Sequence, residues 1–179
     1  MTTPQFMLIA ASGIYLVVLM VIAYLTRATR KRTIGALSGG VAVAVVGVVI
    51  EGLAHARGWW RYPFNDTAYG PPLIYPVVVL LFAALALVSW RVTRRFGWRG
   101  QAVFLSAVTV LGTVRDYRIA AWFPQLIVFA PGIGTVLVDA ACWAGLVALA
   151  QIVMRLVSGP VTGDALARRP QSAYSTRTR

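Results

Sequence analysis

Phe6 to Leu25 is an unbroken run of twenty residues without a charged side chain, and it fixes the solvent that this chain must satisfy. Twenty helical residues at about 1.5 Å each span the roughly 30 Å of hydrocarbon in a bilayer. Breaks rich in Arg, Gly, Pro or aromatic residues divide the rest into further lengths of this kind. The pattern predicts an all-α integral membrane bundle of five transmembrane helices, at about 6–25, 34–53, 73–90, 101–121 and 131–156. Composition agrees: 59% hydrophobic residues, 12% charged residues and a mean hydropathy of +0.73 are foreign to a water-soluble globule. From 158 to 179 the sequence turns small, polar and basic, which predicts a disordered cytoplasmic tail.

Two segments need individual argument. The opening MTTPQ carries no positive charge and the run after it is too long for a secretion signal, so Phe6 to Leu25 is read as a retained helix. Between Gly100 and Val114 there are only fifteen residues, about 22 Å of helix. The fourth helix therefore reaches a full span only by taking in Arg115 and Asp116. The PGIG stretch from Pro131 to Gly134 either starts the fifth helix or kinks it.

The net charge of +12, from 17 Lys and Arg against 5 Asp and Glu, lies between apolar runs rather than on a polar surface. It reads as topogenic charge and attraction to anionic headgroups, with membrane lipid as the partner and no nucleic acid. On one side of the predicted bundle lie only Arg57, Arg61, Arg115 and Arg118; the other 13 of the 17 lie on the opposite side. The positive-inside rule then puts the N-terminus outside and the C-terminus in the cytoplasm, in a multi-pass protein of the plasma membrane. Trp59, Trp60, Tyr62, Tyr69 and Tyr75 fall at the outer interface, where amphipathic rings are enriched. Cys142 is the single cysteine, which excludes an intramolecular disulfide and a cysteine-based metal site. The pattern asks for no metal and no cofactor, and His55 is read as a loop residue at the interface.

Charges inside a bilayer are expensive, so those that are present point to function. Measured along each helix from its basic cytoplasmic end, Glu51 is roughly 28 Å from Arg32, Arg115 roughly 24 Å from Arg99, and Asp139 roughly 24 Å from Arg155. Three helices thus place ionisable groups in one layer beneath the aromatic loop. Helical phase predicts their directions. Gly40, Ala44, Gly47 and Glu51 share a face of small residues that permits close helix approach. Ser106, Thr109, Thr113 and Asp116 form a polar stripe, and Thr135, Asp139 and Cys142 another, with Trp143 one turn from Asp139. These faces predict one interior pocket. A carboxylate beside an arginine also has a structural reading, as an ion pair of Asp116 with Arg115 or Arg118.

From Glu51 to Tyr62 the chain reads EGLAHARGWWRY, an acid followed seven residues later by G-x-W-x-aromatic. This stretch resembles the acid-x6-G-x-W-x-[Phe/Tyr] segment of the small integral-membrane lycopene cyclase domains, and more loosely membrane carotenoid hydratases and meroterpenoid cyclases of similar layout. The resemblance implies an isoprenoid-modifying cyclase or hydratase, an isomerase or lyase of carotenoid or terpene biosynthesis, with Glu51 as one acid. Those cyclase domains carry a proline followed by paired glutamates on the next helix, whereas here that helix reads YPVVVLLFAAL, with Pro76 and no carboxylate. Asp139 is the second acid chosen from the residues themselves, and Asp116 a third catalytic candidate.

The chemistry is physically coherent. Protonating an alkene or epoxide takes a carboxylic acid kept neutral, and an apolar surrounding disfavours the charged form. The resulting cation needs exclusion of water and a nearby π face. Trp59, Trp60, Tyr62, Arg115, Trp122 and Trp143 are the predicted substrate-binding residues, for an apolar, isoprenoid-like molecule arriving through the membrane. The competing reading is a non-catalytic membrane subunit or assembly factor whose intramembrane charges hold helices together. Small-residue faces are also compatible with a homo-oligomer.

Overall fold

The computed structural model describes residues 3–65, 69–160 and 166. Four helices dominate: α1 (Thr3–Thr26), α2 (Arg30–Arg57), α3 (Ile74–Trp122) and α4 (Ile133–Ser158). Each is long and apolar enough to cross a membrane. Two short strands, β1 (Trp60–Arg61) and β2 (Val128–Phe129), pair antiparallel with Trp60 opposite Phe129.

The 49 residues of α3 are not one straight rod. Gly97, at φ 64° and ψ −155°, breaks the helical conformation. Phe82, before it, stacks on Trp143 with ring centroids 5.4 Å apart, while Asp116, after it, accepts a 2.8 Å hydrogen bond from the same indole. A continuous helix would hold Phe82 and Asp116 roughly 50 Å apart. The helix therefore doubles back at Gly97 into two arms that both lie on α4. Gln101 ties the arms, its Oε1 accepting from Ser89 (2.8 Å) and Thr93 (2.6 Å). The ten residues RVTRRFGWRG, expected to be a loop between separate helices, are helical except at Gly97: arginines are good helix formers, and one residue in a region open essentially to glycine alone suffices for the turn. Gly97→Ala is expected to cost about 1–3 kcal/mol, read as a lowered thermal midpoint in detergent. An unchanged midpoint would mean that the turn tolerates a Cβ.

Between lipid-exposed helices there is no water to expel, so association rests on close van der Waals fit. Here α2 supplies it. A Cβ at Gly39 would meet the backbone of Ala150 on α4, and one at Gly40 the backbone of Val79 on α3. At Gly35 it would meet Ser158. Of the expected small-residue face of Gly40, Ala44, Gly47 and Glu51, Gly40 makes a close approach and Ala44 is buried, while Gly35 and Gly39, outside that expectation, make the other close approaches. Gly47, predicted to join it, has open space around it instead. The core sits among α2, α3 and α4, around Val43, Phe82, Leu87, Trp90, Val147 and Met154, while α1 lies principally against α3.

Several sequence expectations change at the ends of elements. His55 belongs to the last turn of α2, which is closed by Gly58 in the left-handed conformation (φ 66°). Arg32 lies within α2 rather than before it and is fully buried. Its guanidinium donates to the carbonyls of Gly159 and Pro160, both at 3.1 Å, and lies 5.3 Å from the Trp90 ring. That clamp holds the chain as it leaves α4, and Leu166 packs against the core. The segment predicted as a disordered tail is therefore ordered at 158–160 and at 166; the remainder of that expectation lies outside the described residues. The PGIG stretch starts α4, with Gly132 at its N-cap.

Candidate functional site

Each wall of the cavity that holds the acids follows from a local feature. Glu51 lies near the end of α2, just before the Gly58 cap turns the chain back, and β1 then returns Trp60 over it. Trp60 Nε1 donates to Glu51 Oε2 and the Tyr62 hydroxyl to Oε1, each at 2.8 Å. β2 holds Phe129 against Trp60, with centroids 5.9 Å apart. Burial, and then the adjacent Glu51 carboxylate, pushes the Tyr62 phenol well above its ordinary range, so Tyr62 keeps its proton and remains a donor.

Asp116 is built differently. Arg115 donates to its Oδ1 at 3.1 Å and Trp143 to its Oδ2 at 2.8 Å. Both partners can only donate, so both oxygens of Asp116 serve as acceptors. Gly112 makes this possible, because a Cβ there would collide with the Trp143 ring. The ion pair read from the sequence therefore forms with Arg115; Arg118 instead stacks on Trp122 at 5.6 Å. Arg115 also lies 5.9 Å from the rings of Tyr15 on α1 and Trp143 on α4.

Asp139, on the first turns of α4, is only 6% exposed, and its Oδ2 makes no hydrogen bond among the described residues. Thr113 faces it and Tyr117 lies within its electrostatic reach, yet neither hydroxyl makes a well-formed hydrogen bond. Asp116 interacts electrostatically with both Glu51 and Asp139. Three carboxyl groups and one guanidinium thus share a single site.

That site is a cavity of about 350 Å³ lined from all four helices and both strands. Glu51, Asp116, Asp139, Arg115, Trp60, Tyr62 and Trp143 line it, and the rest of the wall is mainly aliphatic and aromatic. Two of the predicted substrate-binding residues do not. Trp122 ends α3 with 67% of its surface exposed, and Trp59 turns aside to stack with Arg57 at 6.0 Å; β-strand alternation gives the cavity to Trp60 and the other face to its neighbour. Of the expected stripe on the second arm of α3, Thr113 and Asp116 face inward and Ser106 is exposed. Sequence reasoning missed Phe129, and put Tyr75 at the interface. Tyr75 lines the cavity with its hydroxyl buried and without a hydrogen bond among the described residues. Its place in the first turn of α3 brings it within electrostatic reach of Glu51 on α2, a proximity that needs the tertiary fold to be seen.

No protein-family model, no curated protein and no solved structure matches the chain.

Proposed function

We propose that this multi-pass membrane protein is an enzyme that modifies an apolar, isoprenoid-like molecule by acid catalysis inside the bilayer, as a cyclase or hydratase. The observation that carries the reading is Asp139: a buried carboxyl oxygen without a hydrogen-bond partner among the described residues, on the wall of a mainly apolar cavity. An ionised oxygen without a partner is costly in such a place, so the neutral acid is the cheaper form. Glu51 and Asp116, each met by two donors, are the charged members.

The roles follow. Asp139 Oδ2 gives its proton to one carbon of an alkene, the π bond breaks and a C–H bond forms. The cation on the neighbouring carbon lies among Trp60, Trp143 and the two carboxylates, which stabilise it. A second double bond of the same molecule attacks that cation, its π bond breaking as a ring C–C bond forms and the charge moving to its far carbon. Glu51 then takes a proton from the carbon beside it to leave a new double bond; in a hydratase, water adds to the cation instead and gives Glu51 its extra proton. Between turnovers Glu51 releases its proton to solvent and Asp139 regains one from solvent. Asp116 and Arg115 form a fixed charge pair that shapes the site. In the proposed arrangement the two arms of α3 cross separately, giving five spans in the plasma membrane, with the N-terminus outside and the acid layer in the outer half.

Expression in a strain that makes linear isoprenoids, with lipid extraction and mass spectrometry, tests this. The expected result is a product of the same mass as a precursor but different retention, or heavier by one water. Identical lipid profiles with and without the protein, across precursor lengths, would refute it. One observation favours a second reading, as a non-catalytic subunit: the Arg115–Asp116–Trp143 cluster ties α3 to α4 without needing any substrate. A stoichiometric partner that copurifies and fills the cavity would support that alternative.

A further inference from the structure

A cavity inside a bilayer is useful only if its ligand can reach it, and the walls here are unequal. α2, α3 and α4 pack on one another pairwise, whereas α1 lies principally against α3. Within α1 the buried residues are Pro4, Leu19 and Thr26; the stretch that lines the cavity, Met7, Leu8 and Ala11, lies between the first two and contains none of them. The facing stretch of α2 lines the cavity through Val43, Gly47 and Ile50. Gly39 and Gly40 of the same helix touch neighbouring backbones, but a Cβ added at Gly47 would meet nothing within 4 Å. On the outer side of this stretch Val45, Val46 and Val49 are exposed. Arg115, on the cavity wall, lies 5.9 Å from the ring of Tyr15 on α1.

We infer that the cavity opens sideways into lipid between α1 and α2, with Gly47 as its threshold, and that it admits a membrane-dissolved hydrocarbon-like ligand rather than a solute from water. This rests on the cavity being a site for an apolar ligand, as proposed above. Glycine at 47 leaves the doorway clear, and α1, anchored at its inner half by Leu19, is the wall with least to hold it closed. On another side of the cavity Trp60 and Tyr62 each donate to Glu51, so that wall is tied where the one between α1 and α2 is not.

The test is photolabelling of the full-length protein in liposomes with a C15 hydrocarbon carrying a diazirine, followed by peptide mapping. Carbene insertion does not depend on turnover. The wild type is expected to be labelled on cavity residues such as Leu146 and Trp143. Gly47→Phe is expected to lower that labelling at least fivefold, and Gly47→Leu to lower it less. Gly145→Phe, on an exposed part of α4 with open space around it, is expected to leave labelling unchanged, and elution of each variant as a single species checks folding. Undiminished labelling in Gly47→Phe would overturn this inference alone, as would faster labelling of the same residues by a charged, water-soluble diazirine. Absence of cavity labelling in the wild type would overturn it together with the proposed ligand class.

Discussion

Asp139→Asn is expected to lower product formation by roughly a hundred- to ten-thousandfold, the range that a general acid contributes, while leaving the protein inserted and folded. The amide matches the carboxyl in shape, so the wall of the cavity keeps its form. What it loses is an acidic proton at a buried carboxyl oxygen that makes no hydrogen bond among the described residues. The same change at Asp116 should behave differently: its oxygens accept from Arg115 and Trp143, and an amide nitrogen facing either donor would leave a clash of donors in a buried place. Asp139→Asn therefore separates chemistry from architecture. Product formed per mole of protein in liposomes, alongside the thermal midpoint, reads both. Wild-type turnover by Asp139→Asn would remove this residue from the mechanism.

Gly40→Val is expected to have the largest effect on stability. Its Cβ would fall on the backbone carbonyl of Val79, and a backbone cannot rotate aside as the end of a side chain can. Overpacking of a tight interior typically costs about 1–3 kcal/mol and occasionally more, and in lipid no hydrophobic gain offsets the separation of two helices. Since α2 carries Glu51 and α3 carries Asp116, moving them apart should also lower activity. Gly145→Val is the control. A denaturation curve for Gly40→Val that overlays the wild type would show that α2 and α3 do not meet as described.

The spans were legible because hydrocarbon imposes a simple requirement: every apolar run near twenty residues must be helical, with its backbone groups paired internally. Helical phase then placed Glu51, Asp116 and Asp139 correctly relative to one cavity, because a helix converts spacing directly into direction. The exceptions have physical causes. The break at RVTRRFGWRG was legible, but not that it narrows to Gly97 alone, because arginines continue a helix as readily as they end a span. The strand pair of Trp60–Arg61 with Val128–Phe129 joins segments far apart in sequence and is too short to show alternation, so Trp59 and Trp60 were indistinguishable and Phe129 invisible. Arg32 looked like a topogenic charge because its partners, the Gly159 and Pro160 carbonyls, lie at the far end of the chain. Gly47 had the right spacing for a packing face, and only the fold reveals that its neighbour is the cavity.

Solvent isotope uptake tests the proposed acid chemistry most directly. Wild-type protein in liposomes equilibrated in D2O and given a membrane-dissolved isoprenoid should yield a product carrying one deuterium on carbon, delivered by the exchanged acid, and Asp139→Asn should yield almost none. A wild-type product without carbon-bound deuterium, or equal uptake by the variant, would contradict proton transfer from Asp139.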